Sequence, residues 1–260
     1  MIWDEHETVD TEKMEILRKF SELPYDKIGE EDLRLIHNLD LGELSLQVLR
    51  HPNCPKDIIQ DYCSEPSFWD MDVLSFYRRQ LLASNPNCPE DLLYKLSDDF
   101  CADVRCAVAS NLRCPSECFK KLSSDISPIV LYAIAKNPNC PRFVFDNWLE
   151  NPNIDSELKY YIVSNVNCPA DILEKLSYDS SALIKELIIA HSNCPSNVLS
   201  RFIIDDDFVH SVLERDELPL SVIEVGLNSK FKNQVLKWIK STKKIHKYLM
   251  RDNNMENELC

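Results

Sequence analysis

Glycine is scarce in this chain, with three in 260 residues. A Gly-rich phosphate loop and a nucleophile elbow are therefore missing, and the six histidines are scattered with no His-Glu-x-x-His among them. No catalytic constellation is expected, and the chain reads as a non-enzyme. Long apolar runs are lacking too: none approaches the roughly eighteen residues of a membrane span. The first residues, MIWDEHETVDTEKME, are acidic and lack the basic-then-apolar layout of a secretory signal. The expected address is the cytoplasm, of the cell or of an infected host, with no membrane span. Eleven cysteines in such a compartment are expected to stay reduced thiols.

Basic charge is short as well. Twenty-nine Lys and Arg stand against 43 Asp and Glu, for a net charge of −14. Eight of the bases, and no acid, lie between Lys230 and Arg251, so the rest of the chain carries −22. Such an acidic body does not suit non-specific binding to duplex DNA, which depends on basic groups neutralising phosphates.

What is present is a repeat. Cys-Pro recurs at Cys54, Cys88, Cys114, Cys140, Cys168 and Cys194, at separations of 34, 26, 26, 28 and 26 residues. Four, five and eight residues after each cysteine the side chains are apolar, as in Leu92, Leu93, Leu96 and in Ile172, Leu173, Leu176. That spacing predicts a helix with one apolar stripe. Ten, six and five residues before the next cysteine the stripe returns, as in Val104, Val108, Ala109 and in Ile184, Ile188, Ile189. Each unit is thus two short helices, with a break between them that carries an acid at Asp99, Asp125, Asp179 or Asp205, placed to cap the second helix. Asn53, Asn87, Asn139, Asn167 and Asn193 precede the Cys-Pro and suit an N-cap, with Pro in the first turn. His51, Asn85, Asn111, Asn137, Asn165 and His191 mark the stop of the preceding helix. A left-handed conformation there would explain the few glycines, while a following Pro, present in three of the six, argues for an extended one.

The cysteine ladder invites a metal or redox reading. Equivalent positions in stacked helices lie about 8–10 Å apart, whereas a disulfide needs Cα atoms within about 7 Å. Cysteine here is expected to fill the seam between repeats as a small apolar side chain. Cys101, Cys106, Cys114 and Cys118 are the remaining metal candidate, without Cys-x-x-Cys spacing; no cofactor or metal is expected.

The string NPNCPEDLLYKLSDDFCADVRCAVASN, residues 85 to 111, resembles the leucine-rich-repeat variant family, whose units run Asn-Pro-x-x-Pro, a leucine pair, an acidic break, then Val-Arg-x-Ala-Val-Ala. The resemblance covers about residues 51 to 218, and departs from the pattern at the insertion SEPSFWDMDVLSFYRR and at NPNIDSELKYY. It implies an all-α right-handed solenoid, related to armadillo and HEAT arrays, of about seven two-helix units. One branch of that family carries an iron-sulfur cluster in a cysteine-rich N-terminal module. Here the first cysteine is Cys54, and that function is not expected to carry over. Residues 1–50 hold a degenerate unit and read as an acidic N-terminal cap; 51–218 are the solenoid. Residues 219–260 hold a second degenerate unit and a basic capping helix with Phe231, Val235, Trp238, Ile239, Thr242, Ile245 and Leu249 at helical spacing, whose alternative is a membrane-surface or nucleic-acid contact.

Repeat arrays act by presenting a surface. Nine residues before the cysteines stand Arg79, Arg105, Lys159 and Lys185, and Tyr132 and Tyr160 occupy the next position in their units. This row is the candidate partner-binding stripe; its alternative is an internal ladder in which each base meets a break acid such as Asp99 or Asp179. The expected role is a protein-protein interaction module or inhibitor, immunity-like or a viral antagonist, of a basic protein partner. The alternatives are a HEAT-like nucleic-acid-binding or processing protein, and a metal or redox protein.

Overall fold

The computed structural model describes residues 27–39 and 43–242, with the isolated positions 14 and 18. The rest of the acidic N-terminal segment, and Ile245 and Leu249 of the basic tail, lie outside the described residues. Among those described there are sixteen α-helices and no strand. They run α1 (Glu30–Asn38), α2 (Glu43–Arg50), α3 (Lys56–Ser64), a 3-10 turn (Pro66–Trp69), α4 (Val73–Ser84), α5 (Glu90–Leu96), α6 (Ala102–Ser110), α7 (Ser116–Leu122) and α8 (Pro128–Lys136). Then come α9 (Arg142–Leu149), α10 (Ser156–Ser164), α11 (Ala170–Leu176), α12 (Ala182–Ala190), α13 (Ser196–Phe202), α14 (Val209–Leu213), α15 (Leu220–Leu227) and α16 (Lys232–Ser241). These are eight helix pairs in an all-α solenoid-like fold, one more than the repeat count suggests, because both degenerate ends form full pairs. The chain divides into two compact units, residues 1–144 and 145–260.

Both stripes face inward. All the apolar positions following each Cys-Pro are buried except Trp148, which is half-buried, and all those on the second helices are buried. Each fully buried aliphatic or aromatic side chain is worth about 1.5–3 kcal/mol relative to exposure. Within the first unit α4, α6 and α8 pack in sequence; within the second, α10 packs on α12 and α12 on α14. Gly226 permits a close approach in the second unit. A Cβ there would lie 2.8 Å from Val235 Cγ2 and 3.0 Å from Ile203 Cδ1, so α15 can approach α16 and the end of α13 only without a side chain at that position.

The punctuation works differently from the expected capping. Pro55, Pro89, Pro115, Pro169, Pro195 and Pro219 themselves occupy the N-cap, with φ between −60° and −71° and no side-chain cap bond. Proline has no N–H to leave unpaired at a helix start, while its carbonyl accepts the first helical bond, as Leu93 N–H donates to Pro89 O at 3.0 Å. The asparagines before Cys-Pro are not caps. They reach back to the preceding repeat: Asn139 Nδ2 donates to Leu112 O at 2.7 Å, and Asn193 Nδ2 to Cys168 O at 3.2 Å. The break acids also stand outside the cap position. Asp99, Asp125 and Asp179 each accept the N–H two residues on, at 2.9, 2.8 and 2.8 Å, fixing the turn that leads into the second helix.

The helix-stop residues are extended, not left-handed: Asn85 has φ −71°, ψ 127° and His191 φ −67°, ψ 135°. Their side chains form a ladder. In the first unit Asn85 Nδ2 donates to Leu49 O (2.6 Å) and His51 O (3.0 Å), and Asn111 Nδ2 donates to Ala83 O (2.7 Å) and Asn85 O (2.9 Å). Asn137 Nδ2 does the same to Ala109 O (2.8 Å) and Asn111 O (3.0 Å). Each Oδ1 meanwhile accepts the N–H two residues on. One buried amide thus satisfies two helix-terminal carbonyls of the previous repeat and one N–H of its own turn. In the second unit His191 substitutes for the amide. Its Nδ1 accepts from Asn193 N–H (3.0 Å), which leaves Nε2–H to donate to Asn165 O (2.8 Å). At the next step Arg215 Nη1 donates to Ile189 O and to His191 O (3.0 Å).

Candidate functional site

The row proposed as a contact stripe divides between the two units: Arg79, Arg105 and Tyr132 in the first, Lys159, Tyr160 and Lys185 in the second. Its bases turn inward. Arg79 is 2% exposed, with Nε 2.5 Å from Asp99 Oδ2 and Nη1 bonded to Phe68 O (2.5 Å) and Asp70 O (3.1 Å). Arg105 meets Asp125 through two parallel bonds, Nε at 2.7 Å and Nη2 at 3.0 Å, and its Nη1 reaches Asp99 O at 2.6 Å. Lys159 Nζ lies 2.8 Å from Asp179 Oδ2. Each partner is twenty residues ahead, in the break of the next repeat. A guanidinium buried against a carboxylate has no face left for a partner, so Arg79 is not a contact residue, and Arg105 and Lys159 are structural clamps. Lys185 differs: its ammonium sits 5.5 Å from the centre of the Phe208 ring, a cation-π contact within its own unit.

The clamps hold their acids ionised. Burial alone would raise the pKa of Asp125, but the Arg105 hydrogen bond, the Ser127 N–H and the guanidinium charge outweigh it and keep the carboxyl below its ordinary value. Lys159 and the Ser181 N–H do the same for Asp179.

Of the tyrosines, Tyr132 is half-buried on α8, whereas Tyr160 on α10 is exposed and stacks edge-on against Tyr161 at 5.3 Å. Other apolar side chains also stand in solvent. In the first unit Leu74, Phe100 and Ile126 recur every 26 residues and are 48%, 79% and 93% exposed. In the second, Leu183 of α12 is 55% exposed at the head of a groove of about 890 Å³ between α12 and α14. The groove lies against α14, which has five residues where α6, α8, α10 and α12 have nine. The sequence holds a signal for it: Asp205 to Leu218 is 13 residues, two short of the 15 from Asp179 to Cys194.

The ladder cysteines fill seams. Cys54, Cys88, Cys114, Cys168 and Cys194 are buried, and Cys140 is half-buried. Each Sγ lies 3.7–3.9 Å from the carbonyl oxygen of the proline after it. All ten described cysteines are free thiols. Burial pushes Cys54, Cys88 and Cys168 up to about 12 and Cys194 up to about 11. Among the described residues, Cys101, Cys106, Cys114 and Cys118 included, no three His, Cys, Asp or Glu side chains are grouped so as to hold a metal ion. Nor is any described helix long and apolar enough to cross a membrane.

No family model, no curated protein and no solved structure matches the chain.

Proposed function

We propose that this chain is a non-enzymatic repeat protein of the leucine-rich-repeat variant kind that binds a basic protein partner in the cytoplasm of the cell or of an infected host, as an interaction module or an inhibitor. One observation carries the reading. Arg79, Arg105 and Lys159 are engaged by Asp99, Asp125 and Asp179, so the row that could have met phosphates is used internally, while apolar and aromatic side chains stay exposed on a chain of net charge −14. An acidic surface with scattered apolar anchors is steered toward positive partners and away from nucleic acid. The test is capture from extracts of the native host on the tagged full chain, with and without nuclease, over a salt series. Basic proteins retained at low salt, released as salt rises and indifferent to nuclease support the reading. Retention abolished by nuclease would instead favour nucleic-acid binding.

A further inference from the structure

The groove of the second unit has a shape that selects its occupant. Leu183, Glu186, Leu187 and Ala190 stand at i, i+3, i+4 and i+7 on α12, the stripe a helix presents to a helix packed against it. The second helices α6, α8, α10 and α12 have nine residues each, and α14 stops at five. Beyond that stop the chain turns through Glu214 to Glu217, which forms the opposite wall. Leu183, Glu186 and Ala190 are exposed and Leu187 is half-buried, so this face of α12 offers three apolar side chains with one acid, Glu186, among them. Arg215, the one base of the lining, has its Nη1 bonded to Ile189 O and His191 O, and its single charge is outnumbered by Glu186, Glu214, Asp216 and Glu217, so the lining stays negative. At a diameter of about 10 Å and a rise of 1.5 Å per residue, about 890 Å³ accommodates roughly two turns of helix.

We infer that the groove between α12 and α14 docks a basic amphipathic helix of a partner protein, with two or three apolar side chains on Leu183, Leu187 and Ala190 and flanking Lys or Arg on Glu186 and Glu214. This rests on the protein-binding reading above and names its site. The acidic walls disfavour an acidic or purely apolar segment. The stripe spacing favours a helix over an extended strand, whose side chains alternate with a period of two.

The full chain is titrated with a labelled Leu/Lys peptide of about 18 residues whose leucines fall at i, i+3, i+4 and i+7, and with an isomer of the same composition in which no stripe forms. The striped peptide is expected to bind at least about ten times more tightly than the isomer, and less tightly as salt rises. The double variant Glu186→Lys/Glu214→Lys, and separately Leu183→Gln, each weaken it by about ten-fold or more with unchanged melting, whereas Phe100→Ser in the first unit leaves it as in wild type. No binding of the striped peptide by the wild-type chain, equal affinity for the two peptides, or wild-type affinity in both groove variants overturns the assignment. A native basic partner retained equally by wild type and the double variant also overturns the groove, while leaving the broader protein-binding reading in place.

Discussion

Arg105 and Asp125, twenty residues apart in sequence, face each other through two parallel hydrogen bonds of 2.7 and 3.0 Å and tie one repeat to the break of the next. The guanidinium also closes the turn behind it by donating to Asp99 O. Truncating it leaves Asp125 half-buried without its cation and Asp99 O without its donor. Arg105→Ala is expected to cost about 2–4 kcal/mol, a little under the roughly 3–5 kcal/mol for breaking a fully buried pair because the Arg105 side chain keeps 14% exposure. Thermal unfolding followed by circular dichroism should show a fall of roughly 4–16 °C, at about 2–4 °C per kcal/mol for a chain of this size. A fall within a degree of wild type would show that the pair contributes little.

The same pairs set an acid limit. Asp125 and Asp179 are held below their ordinary pKa when folded, whereas in the unfolded chain they titrate near 3.9. The unfolded state therefore takes up protons first as pH falls, and the stabilisation, fully present above about pH 5, is lost as pH drops through the folded values. Melting temperature should be flat from about pH 7 to 5 and decline below about 4.5, and Arg105→Ala should decline less steeply because Asp125 loses its shift. A parallel decline in both proteins would assign the acid sensitivity to other groups.

Asn111 tests the amide ladder. Its Nδ2 donates to two carbonyls of the preceding repeat, and its Oδ1 accepts from Arg113 N–H at 2.8 Å, all at 5% exposure. Asn111→Ala leaves those buried groups unpaired and is expected to cost about 2–4 kcal/mol, since each buried unsatisfied group costs about 1–3. Asn111→His should recover part of the loss, because His191 in the second unit makes one of the two backward bonds and the forward one with its two ring nitrogens. Equal melting for the Ala and His variants would mean that the hydrogen bonds themselves are not what holds the seam.

The 26-residue period, both apolar stripes and the two-helix unit were legible in the sequence because each depends on neighbours three, four or five residues apart. The ladders were less so, for a physical reason. Asn111 meets partners 26 and 28 residues back, and an Asn at a helix stop is compatible with a left-handed or an extended backbone, and its amide with solvent or a buried clamp, until the adjacent repeat is in place. For the bases the internal ladder is one of the two readings, with Asp99 and Asp179 as partners, but that Arg79 also takes the Phe68 carbonyl and is buried was not legible, since Phe68 belongs to the insertion. The groove was legible only as a length, two residues missing before Leu218-Pro219, because a stripe left uncovered looks in sequence like one that is covered.

The thiols should react in the order of their burial. Cys88 and Cys168 are fully buried and pushed up to about 12, so at pH 8 they hold almost no thiolate and no reagent reaches them. Cys63, Cys101, Cys106 and Cys140 are half-buried and, among the described cysteines, should be alkylated before the buried ones in the native protein. Peptide mapping after a short iodoacetamide pulse is expected to show modification within that group and Cys88 and Cys168 modified only in denaturant. Early labelling of Cys88 would show that the seam opens and that cysteine does not serve there as packed core.

Tyr160 and Tyr132 separate contact from structure by exposure. Tyr160 is 37% exposed and its ring touches Tyr161, while Tyr132 is half-buried on α8. An exposed ring can anchor a partner at little cost to folding, because it keeps one face on the protein and offers the other. Tyr160→Ala is therefore expected to leave the melting temperature within about a degree of wild type while weakening binding of a basic partner by about 1–2 kcal/mol, the effect of a typical interface aromatic. Tyr132→Ala removes packing as well as surface, and should lower both stability and affinity. The comparison is made by calorimetry on the native partner and by thermal unfolding of each variant alone. If Tyr160→Ala binds as wild type but unfolds early, the tyrosine belongs to the structural ladder with Lys159, and the contact surface must be sought among the exposed apolar side chains that no clamp engages.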